Sequence, residues 1–260
     1  MSLILTQLED YILTISLNRP EKYNSFTEPM AFELQKALDD ATSEQVRCVI
    51  LNANGKAFCA GQDLPEVMDR AKNSTYQLSD TVRTTYNPVI RAIRTIGKPV
   101  ICAVQGTAAG AGANIAFSCD ITVASTDAFF VQAFSNIGLI PDSGGTYFLP
   151  RLAGFARTNA MYLLNEKISA QKAVEYGLIY KATEPENLNI EVKSMAEKLA
   201  KMPTKGFALF KEAINQTFNN SLEQQLSLEA NLQSKAGNTA DYKEGVSAFL
   251  EKRTAEFTGK

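Results

Sequence analysis

The chain has 260 residues, 45% of them apolar and 21% charged, and its 26 basic and 28 acidic side chains leave a net charge of −2. It contains four cysteines, no tryptophan and no histidine. The missing histidine excludes a Ser-His or Cys-His nucleophile pair, an imidazole acid or base, and the commonest zinc and iron ligand sets, so any proton transfer falls to Asp, Glu, Lys, Tyr or Cys.

Alternating apolar residues predict two strands over residues 3–8 and 11–17, turning at Glu9-Asp10, with Tyr11, Leu13, Ile15 and Leu17 on one face. Asn18-Arg19-Pro20 breaks the second strand. A helix then starts at Thr27, an N-cap residue with Pro29 in the first turn, and Met30, Leu34, Leu38 and Ala41 form its apolar stripe. Residues 46–51, 99–104 and 121–124 are short, nearly continuous apolar strands, with a helix over about 86–96. Buried strands alternating with helices point to parallel pairing through βαβ crossovers. After residue 155 the strand signal nearly disappears. One helix carries Val192, Met195, Leu199 and Met202, and a second carries Phe207, Phe210, Ile214 and Phe218. A third carries Leu222, Leu226 and Ala230 behind a Ser221…Gln224 capping box, and a last helix covers 240–253.

The near-neutral charge argues against a nucleic-acid footprint, and no apolar stretch approaches the length of a membrane span. Residues 1–5 lack the charged region of a secretory signal. Cys48, Cys59, Cys102 and Cys119 form no CxxC motif and read as buried free thiols. The expected location is cytoplasmic.

Three segments are candidates for chemistry. Residues 55–64 and 105–114 place small residues where a strand gives way to a helix, where free N–H groups and the positive end of the helix dipole meet a negative oxygen. For the second segment a dinucleotide fingerprint competes, but its third contact fails at Ile115; plain helix–strand packing is the other alternative. In the third segment, Ile137 to Thr146, Asp142 stands in an apolar neighbourhood at an expected helix start. It reads either as an N-cap or as a general base whose pKa is raised by its surroundings. Ser143 is a poor nucleophile without histidine or a GxSxG elbow.

Together these segments resemble the crotonase (enoyl-CoA hydratase/isomerase) superfamily over essentially the full length. Asn18 to Ser25 is similar to its NRP…N motif, and Phe58 to Leu64 to its FxAGxDL motif. Residues 98–114 are similar to KPVIAAVxGxAxGxG, and residues 239–249 to the C-terminal EGxxAF helix. The resemblance implies an α/β fold, a crotonase-like spiral of ββα units with a C-terminal helical trimerisation region. Residues 1–200 would be the core with the acyl-CoA site and 201–260 the trimerisation region. It implies a homotrimer or a hexamer built as a dimer of trimers, with no metal and no cofactor, because the CoA thioester is itself the substrate.

By motif position, the backbone N–H groups of Gln62 and Ala111 would hold the thioester enolate oxygen. The two glutamates of hydratases fall on Asn114 and Phe134, neither of which can exchange a proton with water. Asp142 falls where Δ3,Δ2-enoyl-CoA isomerases keep their single carboxylate, and Phe134 would dry the site and raise its pKa. The implied reaction is conversion of ring-1,2-epoxyphenylacetyl-CoA to an oxepin-CoA, or a Δ3→Δ2 double-bond shift. The alternatives are hydration of another acyl-CoA, a CoA-thioester-binding subunit without turnover, and a dinucleotide oxidoreductase. Substrate contacts would come from Lys22, Tyr23, Asn24, Ala60, Gly61, Asp63, Gly110, Asn114 and Phe134, and from Lys252 of a neighbouring subunit. Residues 67–86 and Phe134 are expected to shape the acyl pocket.

Overall fold

The computed structural model describes residues 2–260. The strands are β1 (Ile4–Glu9), β2 (Ile12–Leu17), β3 (Cys48–Ala53), β4 (Val100–Val104), β5 (Thr107–Ala109), β6 (Ile121–Ser125), β7 (Phe129–Val131), β8 (Ile168–Ser169) and β9 (Lys181–Thr183). The helices are α1 (Glu28–Asp40), α2 (Leu64–Arg70), α3 (Leu78–Thr81), α4 (Asn87–Thr95), α5 (Ala111–Ser118), α6 (Gly145–Leu163), α7 (Ala170–Glu175), α8 (Leu188–Ala200), α9 (Thr204–Gln216), α10 (Leu222–Gly237) and α11 (Ala240–Glu251).

The first hairpin forms, one residue later than its sequence suggests. Asp10 and Tyr11 occupy the turn with φ of 49° and 64°, the geometry that matches the twist of paired antiparallel strands. Tyr11 is therefore exposed rather than on the buried face with Leu13, Ile15 and Leu17. α1 begins as expected: the Thr27 hydroxyl accepts from the Met30 N–H, Pro29 lies in the first turn, and Met30, Leu34 and Leu38 are buried.

Six strands form one sheet in the order β1-β2-β3-β4-β6-β9, antiparallel at β1–β2 and parallel elsewhere. A second sheet has the order β5-β7-β8, and a parallel bridge between Cys59 and Ala108 extends its edge. The chain thus visits the large sheet, then the small one, then a helix: β3, Cys59, α2; β4, β5, α5; β6, β7, α6. That repeated ββα path is a spiral. The large sheet is covered on both faces. Val49, Leu51, Val100, Cys102 and Val104 face the main core, while Ile12, Cys48, Ile50, Ile101, Ala103 and Val123 pack under Leu188, Val192 and Ala196 of α8. Burial on both faces explains why these strands read as unbroken apolar runs. All four cysteines are buried and free.

Two strands lie beyond residue 155. β8 and β9 span two and three residues, too short for a two-residue period to show. The terminal helices leave much of their apolar stripes uncovered within the chain. Phe210, Ile214 and Phe218 are exposed, and α9 instead docks through Lys211, whose ammonium donates to Asp120 Oδ2 (2.7 Å), Lys98 O (2.9 Å) and Ile93 O (3.0 Å). In α10 the capping box forms as read, yet only Leu232 is buried. Among the described residues no helix is long and apolar enough to cross a membrane.

Candidate active site

A cavity of about 270 Å³ opens between residues 60–64, the N-terminus of α5 and residues 132–142. Two strand-to-helix junctions form its wall. At the first, Phe26 bridges residues 61–63 in parallel fashion: its N–H donates to Gly61 O (2.7 Å) and its carbonyl accepts from Asp63 N (2.9 Å). Successive N–H groups of an extended segment point to opposite sides, so the Gln62 N–H faces away from Phe26. At the second, Gly110 (φ 51°, ψ −123°) turns the chain from β5 into α5 in a conformation only glycine adopts without strain. Ala111 is the first residue of α5, a position whose N–H has no intrahelical acceptor. Gln62 and Ala111 line the same cavity.

Asp142 lines the same cavity and is the only ionisable residue to do so among the described residues. Its place differs from a helix cap. α6 starts three residues later, at Gly145, behind Gly144 in the left-handed region. Residues 142–145 instead make a tight turn closed by Gly145 N donating to Asp142 O (2.8 Å), with φ of 51° at Ser143 and 76° at Gly144. The carboxylate is thereby free of helix N–H groups; it accepts from the Ser143 hydroxyl at 2.9 Å. Burial dominates over that bond and raises the Asp142 pKa from 3.8 to about 6. A carboxyl poised there is a competent base or acid near neutrality.

Of the residues singled out in the sequence, Ala60, Gly61, Gln62, Gly110, Ala111, Phe134 and Asp142 line this cavity together. Phe134 is buried at the start of a 3₁₀ turn, and its ring edge faces the α-carbon of Gly110. Others stand apart from the wall. Asn24 is fully buried: it accepts from Arg19 N (2.7 Å) and donates to Asn54 O (2.9 Å) and Ala57 O (2.8 Å), so its amide is spent holding the loop. Asp63 caps α2 and pairs with Arg19 at 2.7 Å, which holds its pKa below the ordinary value despite partial burial. Asn114 is fully buried and bonded to protein at both ends of its amide.

Lys22 and Tyr23 are exposed, and the Tyr23 carbonyl accepts from Ala60 N (2.9 Å), tying their loop to the cavity rim. Lys252 is exposed at the C-cap of α11. Residues 67–86 do not line the cavity; Leu64, Ile137 and Leu139 supply apolar wall instead. The sequence reading also missed Gln132, fully buried on the cavity wall with its Oε1 unpaired. Its one signal was a polar residue closing the apolar run Phe129-Phe130-Val131.

The sequence profile of the enoyl-CoA hydratase/isomerase family matches residues 7–260. A 1,2-epoxyphenylacetyl-CoA isomerase of Escherichia coli is 45% identical over the whole of both chains. A probable enoyl-CoA hydratase of Rhodobacter capsulatus is 42% identical over 98% of this chain and 97% of its own. Among solved structures, an enoyl-CoA hydratase/isomerase from Mycobacterium abscessus superposes with a TM-score of 0.94 at 36% identity, covering 99% of this chain and all of its own. The spiral fold, the junction motifs and these full-length similarities converge: the chain belongs to the enoyl-CoA hydratase/isomerase (crotonase) family.

Proposed function

We propose that the protein is an acyl-CoA isomerase that works with one carboxylate, Asp142. The two relatives differ by only three points of identity and carry different reaction names, so the site must decide. The observation that carries the reading is that Asp142 is, among the described residues, the sole ionisable group lining the cavity, with a pKa raised to about 6. Hydration needs groups that activate and protonate around an added water. An isomerisation adds nothing: Asp142 takes a proton from one carbon, the negative charge spreads to the thioester oxygen, and the resulting carboxylic acid returns the proton at another carbon. The N–H groups of Gln62 and Ala111 stabilise that oxygen at the moment its charge develops.

The acyl group follows the relative with the highest of these identities: ring-1,2-epoxyphenylacetyl-CoA rearranging to an oxepin-CoA, with a Δ3→Δ2 enoyl-CoA shift as the simpler reaction of the same site. Lys22, Tyr23 and Lys252 of a neighbouring subunit would contact the CoA moiety. The exposed apolar residues of α6 and α9–α11, among them Phe155 and Phe210, and Phe218 between α9 and α10, would be covered in a homotrimer or a dimer of trimers.

The test is Asp142→Asn assayed with aryl and aliphatic CoA thioesters by product mass and spectrum. The expected result is a folded protein that binds acyl-CoA and loses about 100- to 10,000-fold in turnover. Retained turnover would overturn the assignment, and acyl-CoA binding by the native protein without turnover on any thioester would mark a binding subunit.

A further inference from the structure

Asp142 reaches the cavity from a turn, and a turn residue followed by two positive-φ positions has little intrinsic reason to hold one place. Its carbonyl shows what holds it. Asp142 O accepts two hydrogen bonds, one from Gly145 N inside the turn (2.8 Å) and one from Asn114 Nδ2 (2.8 Å). Asn114 belongs to α5, the helix whose first N–H faces the cavity. One amide therefore ties the base to the helix that carries an oxyanion donor.

The amide's orientation is fixed by chemistry. A carbonyl at Asp142 demands the NH₂ end of Asn114, so the Asn114 oxygen must point away, where it accepts from Gln132 Nε2 at 3.1 Å. Gln132 is fully buried on the cavity wall, and its own oxygen has no partner. A buried unpaired amide oxygen is costly, and such groups persist where the arrangement serves a function. The space is equally committed. A Cβ built on Gly145 would lie 2.4 Å from Asn114 Nδ2 and 3.0 Å from Asn114 Cγ, so the glycine is what lets the Asn114 amide reach the turn.

We infer that Asn114, oriented by Gln132 and admitted by Gly145, is a positioning residue that sets where the Asp142 carboxylate stands relative to the Ala111 N–H. It touches neither substrate nor reacting atoms, and it acts through the Asp142 backbone. This inference rests on the reading of Asp142 as the base, and it assigns a function to the position where hydratases carry a glutamate. A base displaced by about an ångström forfeits on the order of 100-fold in rate.

Asn114→Leu keeps the approximate volume and removes the donor. Gly145→Ala keeps both polar groups and pushes the Asn114 amide aside; it stands in if the leucine variant does not fold. Each is assayed for kcat, KM and retention of substrate-derived label during isomerisation in D2O. The expected result is a 10- to 100-fold fall in kcat with KM within about threefold of native. Retention of label should also drop, because a misplaced acid returns its proton more slowly and exchanges it with solvent first. Native kcat and label retention in either folded variant, while Asp142→Asn is inactive, would overturn the positioning role and leave the base assignment intact. Native turnover in Asp142→Asn would instead remove the base assignment and this inference with it.

Discussion

Helices α5 and α10 follow opposite plans. Every residue of α5 is buried, whereas in α10 only Leu232 is. α5 is packed against α4, α6 and β5, and its N-terminus carries Ala111 on the cavity wall and, one turn on, Asn114, whose amide donates to Asp142 O. α10 leaves Leu222 and Leu226 in solvent although each could contribute about 1.5–3 kcal/mol on burial. One helix is fixed from all sides, and its first N–H is held with it. The other is held by its cap, by α9 and by α11, and leaves apolar side chains exposed. Rigidity at the site and apolar exposure at the periphery are thus separable properties of one chain.

The sharpest break in that comparison is Gly110→Ala. The added Cβ has room, its nearest neighbours being Gln132 O and the Phe134 ring at 3.6 Å, so the penalty is the conformation at φ 51°, ψ −123°. Relaxing it shifts the first N–H of α5. Turnover should fall about 100-fold, as when an oxyanion donor is lost. Unchanged kcat would show that the exact entry of α5 does not matter.

A second probe uses pH. Asp142 has a folded-state pKa near 6 against an ordinary 3.8, so the folded protein binds the proton more tightly than the unfolded chain. The contribution of Asp142 to stability is therefore complete below pH 4, falls as pH rises from 4 to 6, and is lost above. Asp142→Asn removes this loss. Its melting temperature should match the native protein at pH 4 and exceed it above pH 6, by at most about 3 kcal/mol in stability. Over the same window native kcat/KM should rise with an apparent pKa of about 6. A flat profile through pH 5–7 would break the link between burial of Asp142 and its role.

These readings were legible in the sequence to different degrees, for physical reasons. α1 was visible because Thr27, Pro29 and the Met30–Leu34–Leu38 stripe all agree, and the Ser221…Gln224 box was local enough to read directly. The junction glycines marked Gln62 and Ala111 as wall residues of one cavity because only small residues let a strand turn sharply into a helix. Asp142 was found, but its setting was not: a helix cap and a turn three residues before a helix share the same local residues, and the positive φ at Ser143 decides between them. Asn114 read as a substrate contact because its partners, Asp142 O and Gln132, come from elements 28 and 18 residues away. Nothing local announces them. The apolar stripe of α9 was visible as a stripe, while its exposure was not, since periodicity says that a face is apolar and not what it meets.

That last point leads to the periphery. Phe210 is 62% exposed. Phe210→Ser should therefore leave the isolated chain's stability within about 0.5 kcal/mol while shifting sedimentation toward smaller species. Full assembly in that variant would remove α9 from the proposed subunit contact.

The smallest effect tests whether α10 is an independent part. Ser221 caps it by accepting from Gln224 N (3.3 Å), and Gln224 Oε1 returns a bond from Ser221 N (2.8 Å). Ser221→Ala should cost about 1 kcal/mol. In a lone chain that loss would lower the melting temperature equally at every protein concentration. In an assembly that covers α10, a frayed first turn weakens contacts between copies. The melting temperature then becomes more dependent on concentration, because dissociation precedes unfolding. Turnover measured at high concentration should stay native in either case, since α10 contributes nothing to the cavity wall. A shift independent of concentration would make α10 a self-sufficient helix and leave its exposed leucines without a role in assembly.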